Sequence, residues 1–124
     1  MKALELPRLD LKMSEVFEAQ EEVRWVNHWP KYTPDDAQAH LLGATEEIGE
    51  ISEIIRKCGH EAIMNSPTIR RKLTTEVVDA VSYLVNVLLS YGITAEEFSE
   101  AFVRKPTAML AATIPPNTLR YARK

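Results

Sequence analysis

The chain has 124 residues, 45% of them hydrophobic and 27% charged, with a net charge of -3, which suits one folded domain of ordinary soluble composition. Its mildly acidic balance disfavours nonspecific nucleic-acid binding, which needs a basic surface, so no nucleic-acid partner is expected. A single cysteine, Cys58, excludes an internal disulfide framework and fits a reducing cytosol, so a cytoplasmic location is expected.

The opening MKALELPRLDLK is broken by charges and Pro7 and reads as an N-terminal extension over residues 1–12, not a signal peptide. A first helix is expected from near Ser14 towards His28, with Val16, Phe17, Val23 and Val26 among its apolar positions and Pro30 ending it. Thr33-Pro34-Asp35-Asp36 is a start signal for a second helix: a capping hydroxyl, then proline, then acids at the positive helix end. That helix is expected to run to about Cys58, with Gly59 as the stop and a loop through Asn65. Ser66-Pro67 opens a third helix that should reach Tyr91 and halt at Gly92. Thr94-Ala95-Glu96-Glu97 is a capping box for a fourth, which Pro106 closes or kinks, leaving a C-terminal arm over 107–124.

No stretch alternates with period two long enough to argue a strand. The expected fold is all-α, a bundle of four helices in a single domain spanning 1–124. The third helix is apolar almost all round and must be covered on every side, so a homodimer or homotetramer is expected. Its longest apolar stretch, Val77 to Leu89, contains Asp79, Ser82 and Asn86 and reads as too short to span a bilayer, so no membrane partner is expected.

Chemistry concentrates in two acidic clusters, Glu46-Glu47-x-x-Glu50 and Glu76-x-x-Asp79. Residues three or four apart share a helix face, so Glu47 pairs with Glu50 and Glu76 with Asp79. At about 100° per residue, Glu47 falls among Ile48, Ile51, Ile54 and Ile55, and Glu76 among Ile69, Leu73, Ala80, Tyr83 and Val87. Carboxylates placed among apolar side chains are costly unless paired or coordinated. Four that converge repel one another, and a hard divalent cation such as Mg²⁺ relieves that repulsion. On the third helix the polar residues form one line: Lys72, Glu76, Asp79, Tyr83, Asn86 and Ser90. Lys72 can pair with Glu76 or reach a phosphate, while Tyr83 and Asn86 can hydrogen-bond carboxylates or ligand oxygens. The other reading of this line is a plain solvated face.

The two clusters, about 25 residues apart across a helix–loop–helix, resemble the signature of MazG-like all-α nucleoside triphosphate pyrophosphohydrolases, E-E-x-x-E followed by E-x-x-D. Ala44-Thr45-Glu46-Glu47-Ile48-Gly49-Glu50-Ile51 is similar to the first half. The run from Glu76 to Asn86 is similar to the second, with an aromatic one turn on and an asparagine two turns on. The likeness extends over about residues 17–105. It implies a four-helix MazG-like bundle in which Glu47, Glu50, Glu76 and Asp79 hold Mg²⁺, with Mn²⁺ as a substitute. It also implies hydrolysis of a nucleoside triphosphate to the monophosphate and pyrophosphate, in nucleotide-pool housecleaning.

Glu46 and Glu47 are the candidate catalytic pair; Glu46 orients the attacking water, holds a second ion or is simply solvated, and Glu53 has the same choices. For the base, Trp25 resembles the family's first-helix tryptophan, and an aromatic face stacks any base, with Asn27 or His28 reading an edge; core filling is the alternative for Trp25 and Trp29. His40 and His60 lack ligand-spaced partners and read as structural or surface residues. The chain departs from the family after the fourth helix, where Arg104-Lys105 keeps a basic pair but the following asparagine and arginine are missing. Lys105 is therefore a candidate phosphate contact, with Arg70, Arg71 and Lys72, or Arg120, Arg123 and Lys124, as substitutes for the rest. A phosphoribosyl-ATP pyrophosphatase and a non-catalytic metal-binding helical module are the competing readings. A di-iron bundle is disfavoured because neither cluster supplies a Glu-x-x-His.

Overall fold

A computed structural model describes the backbone over residues 10–113 and side chains over residues 10–105. The described residues form four α-helices, α1 (Met13–Val26), α2 (Ala37–Asn65), α3 (Pro67–Ser90) and α4 (Ala95–Thr113), with a 3-10 turn over Pro34–Asp36 leading into α2 and no strand. They divide into two compact units, one up to Ile93 and one from Thr94. Residues 1–9 of the expected extension and 114–124 of the expected arm lie outside the described residues.

The helix starts follow the capping chemistry of the sequence. Thr33 N–H donates to Asp36 Oδ2 at 2.8 Å, Ser66 Oγ accepts from Ile69 N–H, and Thr94 and Glu97 cap one another through Oγ1 and Oε1. The stops differ in three places. α1 ends at Val26, ahead of Pro30, because His28 adopts a left-handed conformation at φ 59°. The His28 and Trp29 amides then return to the carbonyls of Trp25 and Arg24, a Schellman closure that uses a histidine where glycine is usual. At Gly59 (φ 83°, ψ 163°) α2 breaks as expected, yet the residues beyond resume helix up to Asn65 where a loop was expected. The fourth helix passes through Pro106 and reaches Thr113, so Pro106 does not close it, and residues 107–113 are helical.

Only Ser66 separates α2 from α3, and the two fold back on one another as an antiparallel hairpin. Close approach rests on small residues: Ala37, Ala44 and Ala80 are buried, and a Cβ on Gly43 would stand 2.5 Å from Cε1 of Tyr83. Ile54 completes this seam. α1 leans on α3, where Gln20 Nε2 donates to Ser82 Oγ at 3.2 Å and Phe17 is buried.

α3 has 24 residues and is long and apolar enough, by length and composition alone, to cross a membrane. Such a helix is weak evidence of a span, because the same composition serves a helix packed between two others.

Candidate functional site

Register within the hairpin assembles the acids. With Gly43 against Tyr83, one turn along α2 and one turn back along α3 bring Glu47 level with Asp79, and the next turn brings Glu50 level with Glu76. One carboxylate oxygen from each of Glu47, Glu50 and Glu76 lies within 4.8 Å of the others. Asp79 is half-buried beside them and stands outside this triad, though its charge reaches it. Glu47 and Glu76 are half-buried, whereas Glu50 and Glu46 are exposed. The acidic row therefore lies at the rim of the α2–α3 seam, less enclosed than the isoleucine pattern around Glu47 suggests.

The electrostatics are those of crowded carboxyls. A hydrogen-bonding contact with Glu76, and then the charge of Glu76, hold the Glu50 carboxyl above the ordinary carboxylate range. Glu76 is raised in turn, first by its contact with Glu47. Two carboxyls in contact repel one another when both are ionised, and a cation between them relieves that repulsion. Glu47 Oε2 is buried and has no hydrogen-bond partner.

Beside the triad a cleft of about 350 Å³ opens between α2 and α3, with Glu50 and Glu76 in its wall together with Lys57 and Lys72. Both lysines lie on the side of the acids nearer the Ser66 turn. Lys57 is ion-paired with Glu53, which lowers the Glu53 carboxyl below its usual range. No ion pair joins Lys72 to Glu76, one of the two roles open to it from the sequence. Lys57 was not singled out from sequence, although it stands two turns from Glu50 and one from Glu53 on one helix face, a spacing visible in the chain.

The remaining candidates are spread more widely. Tyr83 packs on the Gly43 backbone and belongs to an aromatic row, 6.4 Å from the His40 ring, which meets Tyr32 edge-on at 4.5 Å. That gives His40 its structural place. Asn86 is buried with Oδ1 unpartnered, about 15 Å along α3 from Glu76 by helical rise, so it is not part of the triad. Trp25 is 70% exposed and does not fill the core. It borders a shallow pocket on α1 with Glu21 and Arg24. Trp29 and His28 are exposed, and the positive φ of His28 marks a strained backbone at this candidate. Lys105 is exposed on α4, in the second unit.

Comparison with protein-family models, with curated proteins and with solved structures found no match to this chain. Its functional reading therefore stands on its own residues.

Proposed function

We propose that this chain is a Mg²⁺-dependent nucleoside triphosphate pyrophosphohydrolase of MazG-like type, converting a (deoxy)nucleoside triphosphate to the monophosphate and pyrophosphate, in housecleaning of a cytoplasmic nucleotide pool. The observation that carries the reading is the triad Glu47–Glu50–Glu76 drawn from two helices, with lysines in the adjoining cleft. Acids alone are common on helix surfaces. What distinguishes these is a buried Glu47 oxygen that no donor satisfies, next to carboxyls raised by mutual contact. An all-oxygen, acid-rich donor set of this kind fits Mg²⁺, or Mn²⁺ in its place.

In this reading Glu47, Glu50, Glu76 and Asp79 hold the cation. When bound, Mg²⁺ supplies neutralisation of phosphate charge and polarisation of a phosphoryl oxygen. Lys72 and Lys57, in the cleft beside the acids, bind the phosphate chain through their ammonium groups. Glu46, exposed beside Glu47, accepts the proton of the attacking water at a carboxylate oxygen. The α–β anhydride P–O bond breaks, and pyrophosphate leaves with the electron pair. Trp25 and His28 on the α1 side offer an exposed aromatic surface for the base, and Tyr83 and Asn86 complete the proposed substrate contacts.

The test is formation of monophosphate and pyrophosphate from a panel of ribo- and deoxynucleoside triphosphates, with Mg²⁺ and with chelator. Chelator-sensitive release of pyrophosphate, rather than successive single phosphates, is the expected outcome. A folded protein silent across the panel would overturn the proposal and move the reading to phosphoribosyl-ATP or to a binding module.

A further inference from the structure

Phe17, Gln20 and Arg24 follow one another at spacings of three and four, so they share one side of α1. That side faces α3: Phe17 is buried, and Gln20 Nε2 donates to Ser82 Oγ. Arg24 continues the same line, and its side chain is only 16% exposed. A guanidinium so enclosed needs acceptors for its donors, and it finds them at two points. Nε and Nη2 both donate to Oε2 of Glu21, the latter at 2.8 Å. Nη1 donates to the carbonyl oxygen of Trp29 at 3.1 Å. Trp25, the next residue, is turned about 100° away from this line and stands in solvent.

The bond to Trp29 crosses the end of the helix. The Trp29 amide also returns to the Arg24 carbonyl at 3.0 Å, so Arg24 holds both main-chain groups of Trp29. Between them lies His28 at φ 59°, a conformation that a residue with a Cβ keeps only where its surroundings enforce it. The amide bond is the ordinary closure of a helix end. The guanidinium bond is an addition, and its charge makes it stronger than a neutral one. The charge of Arg24 reaches the Tyr32 hydroxyl as well, together with those of Glu21 and Asp36. Arg24 therefore stands where α1, the connection after it and the approach to α2 come together.

We infer that Arg24, itself fixed by Glu21, is a positioning residue that sets the turn presenting Trp25, His28 and Trp29 as one surface to a nucleotide base. The inference rests on the proposed function, which puts the base at this surface, and adds the group that keeps the surface in shape. Trp25 and Trp29 stand on either side of the turn with their side chains largely in solvent, so neighbouring side chains do little to fix their relative placement. A platform held in its binding conformation beforehand binds more tightly than one that must be ordered by the ligand. Arginine suits both acceptors at once, because its planar fork aims donors in two directions. A lysine ammonium carries the charge without the fork.

Trp25 and Trp29 are the chain's two tryptophans, so quenching of tryptophan fluorescence reports base contact directly. The experiment titrates the full chain, in Mg²⁺, with α,β-methylene analogues of the four deoxynucleoside triphosphates by fluorescence and with inorganic tripolyphosphate by calorimetry. At least one analogue is expected to quench the wild type. Arg24→Lys is expected to raise the Kd of that analogue about 10-fold, on the order of a lost base stack. Tripolyphosphate, which has no base, should bind this variant as it binds the wild type. Glu21→Gln, which keeps an acceptor but not the charge, should fall between the two. An Arg24→Lys variant that binds the analogue as tightly as wild type would overturn the inference, and so would one that loses tripolyphosphate to the same degree. Wild type that no analogue quenches overturns it too, even if triphosphates are hydrolysed and the proposed activity stands. Quenching that Arg24→Lys weakens, in a protein without hydrolysis, upholds the positioning role and overturns the activity.

Discussion

Replacing Gly43 with alanine tests the hairpin register on which the acidic triad depends. On an ordinary helix this change is stabilising by about 0.8–1 kcal/mol, the propensity difference between glycine and alanine. Here the new Cβ would sit 2.5 Å from Cε1 of Tyr83 and 2.7 Å from Cδ1 and Cζ. Carbon atoms settle at about 3.5–4.0 Å, so the ring must retreat by about 1 Å, with the His40 ring already among its neighbours. Overpacking of that kind costs about 1–3 kcal/mol. The sum of the two effects is a destabilisation of up to about 2 kcal/mol, a reversal of the sign that propensity alone predicts. Urea unfolding of Gly43→Ala in the wild-type and Tyr83→Ala backgrounds separates the effects, because removing the ring leaves only the propensity gain. If Gly43→Ala stabilised both backgrounds equally, Tyr83 would not lie on Gly43, and the alignment of Glu50 with Glu76 would fall with it.

Further outcomes concern the site and one helix end. Glu47→Gln is expected to lower kcat/KM for pyrophosphate release by about two orders of magnitude or more, since loss of even an outer-shell partner of a metal ligand costs about 10- to 100-fold. Thermal unfolding in chelator should meanwhile be unchanged or improved, because a repelling charge has gone; wild-type rates would remove Glu47 from the site. Glu50 and Glu76 titrate above their ordinary value of 4.5 in the folded chain, so the native state binds protons more tightly than the unfolded one there. Their effect on metal-free stability is therefore most favourable at low pH and is lost as pH rises through the raised values. Melting in chelator between pH 5 and pH 8 checks this by comparing wild type with a Glu50→Gln, Glu76→Gln variant, in which that dependence should shrink. Mg²⁺ needs the deprotonated acids and should raise Tm more at pH 8 than at pH 5; a pH-independent Mg²⁺ effect would refute the assignment. His28→Gly should stabilise the chain by about 0.5–1 kcal/mol in urea unfolding, since glycine adopts the left-handed conformation without the Cβ clash. A destabilised variant would mean that the histidine side chain holds the turn.

Helix starts were legible because capping is local: the Ser66 and Thr94 hydroxyls accept from amides three residues on, and the Thr33 amide donates to the Asp36 carboxylate. Helix ends were less so. Pro106 removes one hydrogen bond, which a helix can survive, and the helix continues to Thr113; the turn at His28 depends on a left-handed histidine that no pattern announces. Lys57 shows the same divide within the site. Its spacing from Glu50 was readable, but its place in the cleft wall requires α3 to bring Lys72 and Glu76 alongside.

The sequence by itself determined that the chain is helical, where its helices begin, and which acids share a helix face, because those properties depend on bonds and rotations within a few residues. The tertiary structure decided which acids meet across helices. That outcome hangs on the depth of contact between α2 and α3, set where Gly43 admits the Tyr83 ring, and it drew Glu76 into a triad with Glu47 and Glu50 while leaving Asp79 at its edge. Packing also decided that Trp25 faces solvent, since a helix pattern names an apolar residue but not the neighbour that covers it.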